Sequence, residues 1–157
     1  DDMGVTVLGN MLPGTLQELH LGFRGCIAIS NVGIQSLSSN LPGMLQTLDL
    51  NLHMGQGTPY HGQVDDEAVL ALVSNLPREL LSLNLNFKLC EKMTNEHLQV
   101  AFEEGLPESL RVLRLGFAEC TCIDDGSIVS IADALPICLT HLELDLANCG
   151  RLTDLAV

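Results

Sequence analysis

The stretch Leu16-Gln-Glu-Leu19-His-Leu21-Gly-Phe23 decides the reading of this chain, because it returns four times. The later copies are Leu45 to Leu52, Leu80 to Phe87, Leu110 to Phe117 and Leu139 to Leu146, and their first leucines are separated by 29, 35, 30 and 29 residues. Self-similarity at such a period is the mark of a repeat architecture. Ten residues after each start stands Cys26, Cys90, Cys120 or Cys149, with Gly55 in the second copy. Three residues further on comes Ile29, Met93, Ile123 or Leu152, and the second copy brings Val64 to that place six residues late. Each unit then runs through a polar pair and an apolar stretch to Leu41-Pro42, Leu76-Pro77, Leu106-Pro107 or Leu135-Pro136. Residues 1 to 13 read as the tail of an earlier unit ending in Leu12-Pro13.

The two halves of the unit have different periods. Leu19, Leu21 and Phe23 alternate with polar or small residues, which puts one set of side chains on one face of a strand. Ile34, Leu37 and Leu41, like Ile128, Ile131 and Leu135, recur at three and four, the stripe of a helix. Ser30, Asp65, Thr94, Asp124 and Thr153 stand just before it as N-cap candidates, and the proline after its last leucine discourages continuation. Stacked strand-helix units make a parallel sheet with strands about 4.8 Å apart, while helix axes need about 8 to 10 Å, so the stack curves with the sheet inside.

The pattern resembles the leucine-rich repeat family over essentially the whole chain. The 29-residue spacing is similar to the ribonuclease-inhibitor-like class, and Cys26-x-x-Ile29-x-Asn31-x-Gly33-Ile34 resembles the cysteine-containing class of F-box substrate receptors. The resemblance implies an α/β solenoid: a right-handed horseshoe segment with a parallel sheet on the concave side, helices on the convex side, and a protein or peptide ligand on the concave face. The family's ninth position, usually Asn or Cys, holds Arg24, His53, Lys88, Ala118 and Ala147, and the ladder cysteine follows two residues later. This reads as one extra in-out pair on each strand, with Phe23, Phe87 and Phe117 as the additional inward residue. The expected organisation is a single solenoid segment over 1–157, with five units starting at Leu16, Leu45, Leu80, Leu110 and Leu139 and cut within a repeat at both ends.

Composition narrows the function. The 157 residues suit one domain, 31 are leucine, and 46% are apolar, which excludes a disordered chain. No run approaches the roughly 18 apolar residues of a membrane helix, and Asp1-Asp2 does not open a signal peptide, so no membrane insertion is expected. Seven Lys+Arg against 20 Asp+Glu give a net charge of −13, and the cations are scattered from Arg24 to Arg151, which argues against nucleic acid. Six cysteines without any Asn-x-Ser/Thr sequon point to reduced thiols and a cytoplasmic location.

Candidate chemistry is sparse. Cys26, Cys90, Cys120 and Cys149 recur at one repeat position, a buried structural ladder rather than a close zinc pair. Eleven of the 20 acids fall where strand passes to helix, where they cap amides and complement helix dipoles; a basic partner along that edge is the alternative. No phosphate loop, nucleophile elbow or metalloprotease motif occurs, and the histidines lack zinc spacing, so no catalytic residue, metal or cofactor is assigned. The excursion after His53 carries Tyr60 and His61 as candidate loop contacts.

Strand alternation leaves an outward, concave set. It comprises Glu18 and His20; Asp49 and Asn51; Asn84 and Asn86; Arg114; and His141, Glu143 and Asp145, together with Gly22, Thr47, Ser82, Val112 and Gly116. Curved repeat faces bind partners, and without Trp or Tyr on this one, Arg114 is the best anchor. The function expected is therefore a non-enzymatic protein-interaction scaffold within a longer leucine-rich repeat protein. Two alternatives stay open: the recognition arm of an F-box-type ubiquitin ligase or GTPase regulator, and a structural subunit of a large assembly.

Overall fold

Five strands form where the alternation is strictest: β1 (Glu18–Gly22), β2 (Thr47–Asn51), β3 (Ser82–Asn86), β4 (Val112–Gly116) and β5 (His141–Asp145). In this computed structural model, which describes residues 1–53, 64–90, 92–103 and 105–154, they make one parallel sheet in the order β1-β2-β3-β4-β5. The register aligns every repeat: Leu19, Leu48, Leu83, Leu113 and Leu142 form one inward row, and Leu21, Leu50, Leu85, Leu115 and Leu144 the next. Rows of leucine on β2, β3 and β4 are almost fully buried, whereas Leu142 on the edge strand β5 is 43% exposed.

Hydrogen bonding continues past the named strands. Phe23 donates to Asn51 at 2.7 Å, Gly25 to His53 at 2.9 Å, Leu89 to Ala118 at 3.0 Å and Glu119 to Ala147 at 2.8 Å. The additional in-out pair read from the sequence is therefore present. Its inward residues Phe87 and Phe117 are fully buried and stack with centroids 5.8 Å apart, inclined by 8°. Beyond it the chain turns sharply, with the cysteine N–H donating to the carbonyl three residues back. The residue before each cysteine is left-handed: Gly25, Leu89, Glu119 and Asn148, with φ of 70°, 63°, 64° and 61°.

Helices α1 (Asp2–Asn10), α2 (Asn31–Ser38), α3 (Asp66–Ser74), α4 (Glu96–Glu103) and α5 (Asp125–Asp133) cover the other side of the sheet. Val5, Ile34, Leu37, Val69, Leu72, Leu98, Phe102 and Ile131 meet the leucine rows in one core. The helices stop before the last leucine of the stripe. In α2, Ser38 and Ser39 hydroxyls donate to the Gln35 carbonyl and Asn40 Nδ2 to that of Ser36, so polar side chains take over the end of the ladder. Leu41 and Leu135 lie outside the helices and still pack against the core.

The strand-to-helix edge is more than a row of caps. Asp1, Ser30, Asp65 and Asp124 do cap, accepting from Gly4, Val32, Glu67 and Ser127 at 3.0, 3.2, 2.9 and 3.1 Å. The following residue reaches into the next repeat. Asp2 accepts from the Ser30 N–H and hydroxyl and the Gly33 N–H; Asp66 accepts from Thr94 and Asp125 from Thr153. In the intervening repeats an asparagine does this work: Asn31 contacts Asp65 and Glu67, and Asn95 contacts Asp124 and Ser127. Aspartate and asparagine thus alternate with a two-repeat period.

The cysteine ladder holds with one correction. Sγ of Cys90, Cys120 and Cys149 lies 3.8, 3.2 and 3.2 Å from the carbonyl of Leu52, Phe87 and Phe117, each in the preceding repeat. Cys26, expected to be buried with them, is exposed. Among the described residues no strand lies before β1, so the Cys26 thiol has no counterpart of the preceding-repeat carbonyl that meets Cys90, Cys120 and Cys149.

Candidate functional site

Outward side chains of the sheet form columns across the strands, because the parallel register places equivalent residues side by side. The middle column is His20, Asp49, Asn84, Arg114 and Glu143. Its polar groups gather in two clusters. His20 Nδ1 lies 3.7 Å from Asp49 Oδ2 and its Nε2 4.0 Å from Glu18 Oε2. Arg114 Nε donates to Glu143 Oε2 at 3.1 Å, and His141 Nε2 stands 3.9 Å from the same oxygen. These groups are 36 to 74% exposed, so each pair is worth about 0 to 1 kcal/mol and can be exchanged for a partner's charge at little cost. Asn84, half-buried between the two clusters, makes no side-chain hydrogen bond among the described residues.

A third column behaves differently. Asn51 Oδ1 accepts the His53 N–H at 3.1 Å, Asn86 Oδ1 that of Lys88 at 3.0 Å, and Asp145 Oδ1 that of Ala147 at 3.2 Å. Their side chains close the strand ends and leave less of themselves for a partner than the sequence suggested. Tyr60 and His61 lie outside the described residues. Among those residues no group of three or more His, Cys, Asp or Glu is placed to hold a metal ion.

One set of residues went unassigned in the sequence. Arg24, His53 and Lys88 follow two residues after the third column on β1, β2 and β3, so the extra in-out pair turns them toward the same face. Two of the seven cations read as scattered, Arg24 and Lys88, are placed on either side of His53. Continuing the alternation one step past Gly22, Asn51 and Asn86 would have found them. Lys88 Nζ pairs with Glu119 Oε1 at 3.2 Å. The His53 imidazolium is held below its usual range, first by burial and then by the charges of Arg24 and Lys88.

No protein-family model matches the chain, and no curated protein matches it. Among solved structures, it is similar to the leucine-rich repeat-containing protein LegL7 of Legionella pneumophila, with a TM-score of 0.55 at 19% identity over 89% of this chain. The overlap spans 42% of the LegL7 structure. At that identity the likeness is one of fold: the chain is an α/β leucine-rich repeat solenoid. No helix of the described residues is long and apolar enough to cross a membrane.

Proposed function

We propose that this chain is a non-enzymatic interaction scaffold, a segment of a larger leucine-rich repeat solenoid, that holds a protein or peptide partner on its concave sheet. The observation that carries this reading is the register that sets His20, Asp49, Asn84, Arg114 and Glu143 side by side on five rigid strands. A preorganised, half-exposed polar row loses little conformational freedom on binding, which is what a recognition platform needs. The 29-residue spacing and the cysteine ladder support a ribonuclease-inhibitor-like or cysteine-containing repeat type. Six free thiols fit a reducing, cytoplasmic setting.

Affinity capture from the native source tests the reading. Replacing Arg114 with Glu at the centre of the face is expected to weaken capture by about 2 kcal/mol or more while leaving the fold intact. Retention of the same partner by Arg114→Glu would overturn it. A structural subunit is the second reading, favoured by apolar residues on the convex helices: Met3, Val7, Val32 and Val129 are 76, 57, 65 and 53% exposed. Loss of capture on Val32→Lys, but not on Arg114→Glu, would support that alternative.

A further inference from the structure

The β1–β3 half of the concave face is electrically divided along its strands. At the far end Arg24, His53 and Lys88 occupy one position on three neighbouring strands, so Arg24 and Lys88 bracket His53 across about 10 Å, two strand spacings. Arg24 is exposed and makes no ion pair among the described residues. Burial lowers the His53 imidazolium first, and Arg24 and Lys88 lower it further against an opposing effect of Glu119, in keeping with cations on both sides of the ring. About four residues back along the same strands, roughly 13 Å at 3.3 Å per residue, Glu18 and Asp49 flank His20. Between the two ends lies Gly22, where an added Cβ would meet nothing within 4 Å. That gap admits a second backbone close to β1.

Resting on the scaffold reading above, we propose that this half of the face binds an extended segment of a protein partner. An acidic side chain of that segment sits over His53 between Arg24 and Lys88, and its backbone lies over Gly22. A basic side chain about four residues away reaches Glu18 and Asp49. A polyanion such as nucleic acid would meet those same carboxylates and a net charge of −13, so a segment carrying both signs is the better complement.

Selection of random dodecapeptides on phage against the immobilised 157-residue chain tests this. The enriched sequences are expected to carry Asp or Glu about four residues from Lys or Arg. The synthetic consensus dodecapeptide is expected to bind Arg24→Glu/Lys88→Glu at least tenfold more weakly than the unaltered protein. Lys88→Glu also breaks the pair with Glu119, so Arg24→Glu alone, which breaks no ion pair among the described residues, is the second variant, and about a threefold loss is expected. Gly22→Val, which fills the gap with a residue suited to a strand, is expected to lose tenfold with unchanged melting. A consensus without acidic residues, no enriched sequence, or equal binding to Arg24→Glu/Lys88→Glu would overturn the proposal. If that equal binding were accompanied by loss on Arg114→Glu, the scaffold reading would survive and this inference alone would fail.

Discussion

Gly33 and Asp2 approach so closely that no side chain fits between them. The Gly33 N–H donates to Asp2 Oδ1 at 3.1 Å, and a Cβ on Gly33 would collide with that oxygen and stand 3.2 Å from the Asp2 Cα. The same carboxylate takes the N–H and hydroxyl of Ser30 at 2.8 and 2.6 Å. One aspartate at the start of α1 therefore fixes three donors at the start of α2; Asp66, which begins α3, likewise accepts from the N–H and hydroxyl of Thr94, and Asp125, which begins α5, from those of Thr153.

Gly33→Ala should evict Asp2 and cost about 2 kcal/mol, the usual value for losing charge-assisted hydrogen bonds at a partly buried site. Gly43→Ala, where an added Cβ meets nothing within 4 Å, should cost far less. Urea unfolding of the two variants checks the difference, and equal midpoints would contradict the role given to Asp2.

Acid should loosen this edge first. Burial alone would raise the Asp2 carboxyl, but the hydrogen bonds from Ser30 and Gly33 outweigh it and hold the group below its usual value of 3.8. Hydrogen bonds from the Thr153 hydroxyl and N–H lower Asp125 likewise. Both groups are more acidic folded than unfolded, so the unfolded chain binds protons first on acidification. Their contribution is fully present above about pH 4 to 5 and is lost as pH falls through the lowered folded values. Urea midpoints measured from pH 6 to pH 2.5 should fall over that lower range, and less steeply for Asp2→Asn.

The turn after each strand makes a separate demand. Gly25 has φ of 70°, and an added Cβ would touch nothing, so Gly25→Ala isolates the backbone strain and should cost about 1 kcal/mol. Gly22→Ala, three residues earlier with equal space and no left-handed backbone, should be neutral or slightly stabilising. Thermal melts of both variants make the comparison.

Thiol reactivity should divide the cysteines. Burial pushes Cys120 up to about 12 and raises Cys90 and Cys149 as well, so little thiolate exists at pH 8. Maleimide labelling followed by mass spectrometry should modify exposed Cys26 and Cys138 quickly. Buried Cys90, Cys120 and Cys149 should wait for denaturant, and rapid labelling of Cys120 in the folded protein would contradict its burial.

The chain by itself should associate. Ile137 is fully exposed and Leu142, on the unpaired edge of β5, is 43% exposed, a combination that favours edge-to-edge contact. Light scattering at tens of micromolar should report oligomers, and Ile137→Asp/Leu142→Lys should reduce them. A monodisperse monomer would contradict this.

Periodicity made the architecture legible. Leucine alternation located all five strands, the polar pair located the starts of α2, α3 and α5, and the displaced cysteine revealed the extra in-out pair, because each signal depends on backbone geometry within a single repeat. Helix ends were less legible: Leu41 and Leu135 keep the stripe's spacing, but side chains such as Ser38, Ser39 and Asn40 end the helix, a local competition that apolar periodicity does not register. The asparagine-aspartate alternation was visible as letters. Read one repeat at a time it looked like capping, since its hydrogen bonds join residues about 30 positions apart.

What the sequence determined by itself is therefore the unit, its period and the face each strand residue takes. Tertiary structure alone decided which charges meet. Stacking brought Arg24 and Lys88 beside His53, paired Arg114 with Glu143, and turned Asn51, Asn86 and Asp145 back onto their own backbones. It also uncovered Cys26, whose repeat position matched its buried counterparts. The physical reason is that a side chain's direction follows from its own backbone, whereas its electrostatic partners and its burial depend on the repeats stacked to either side.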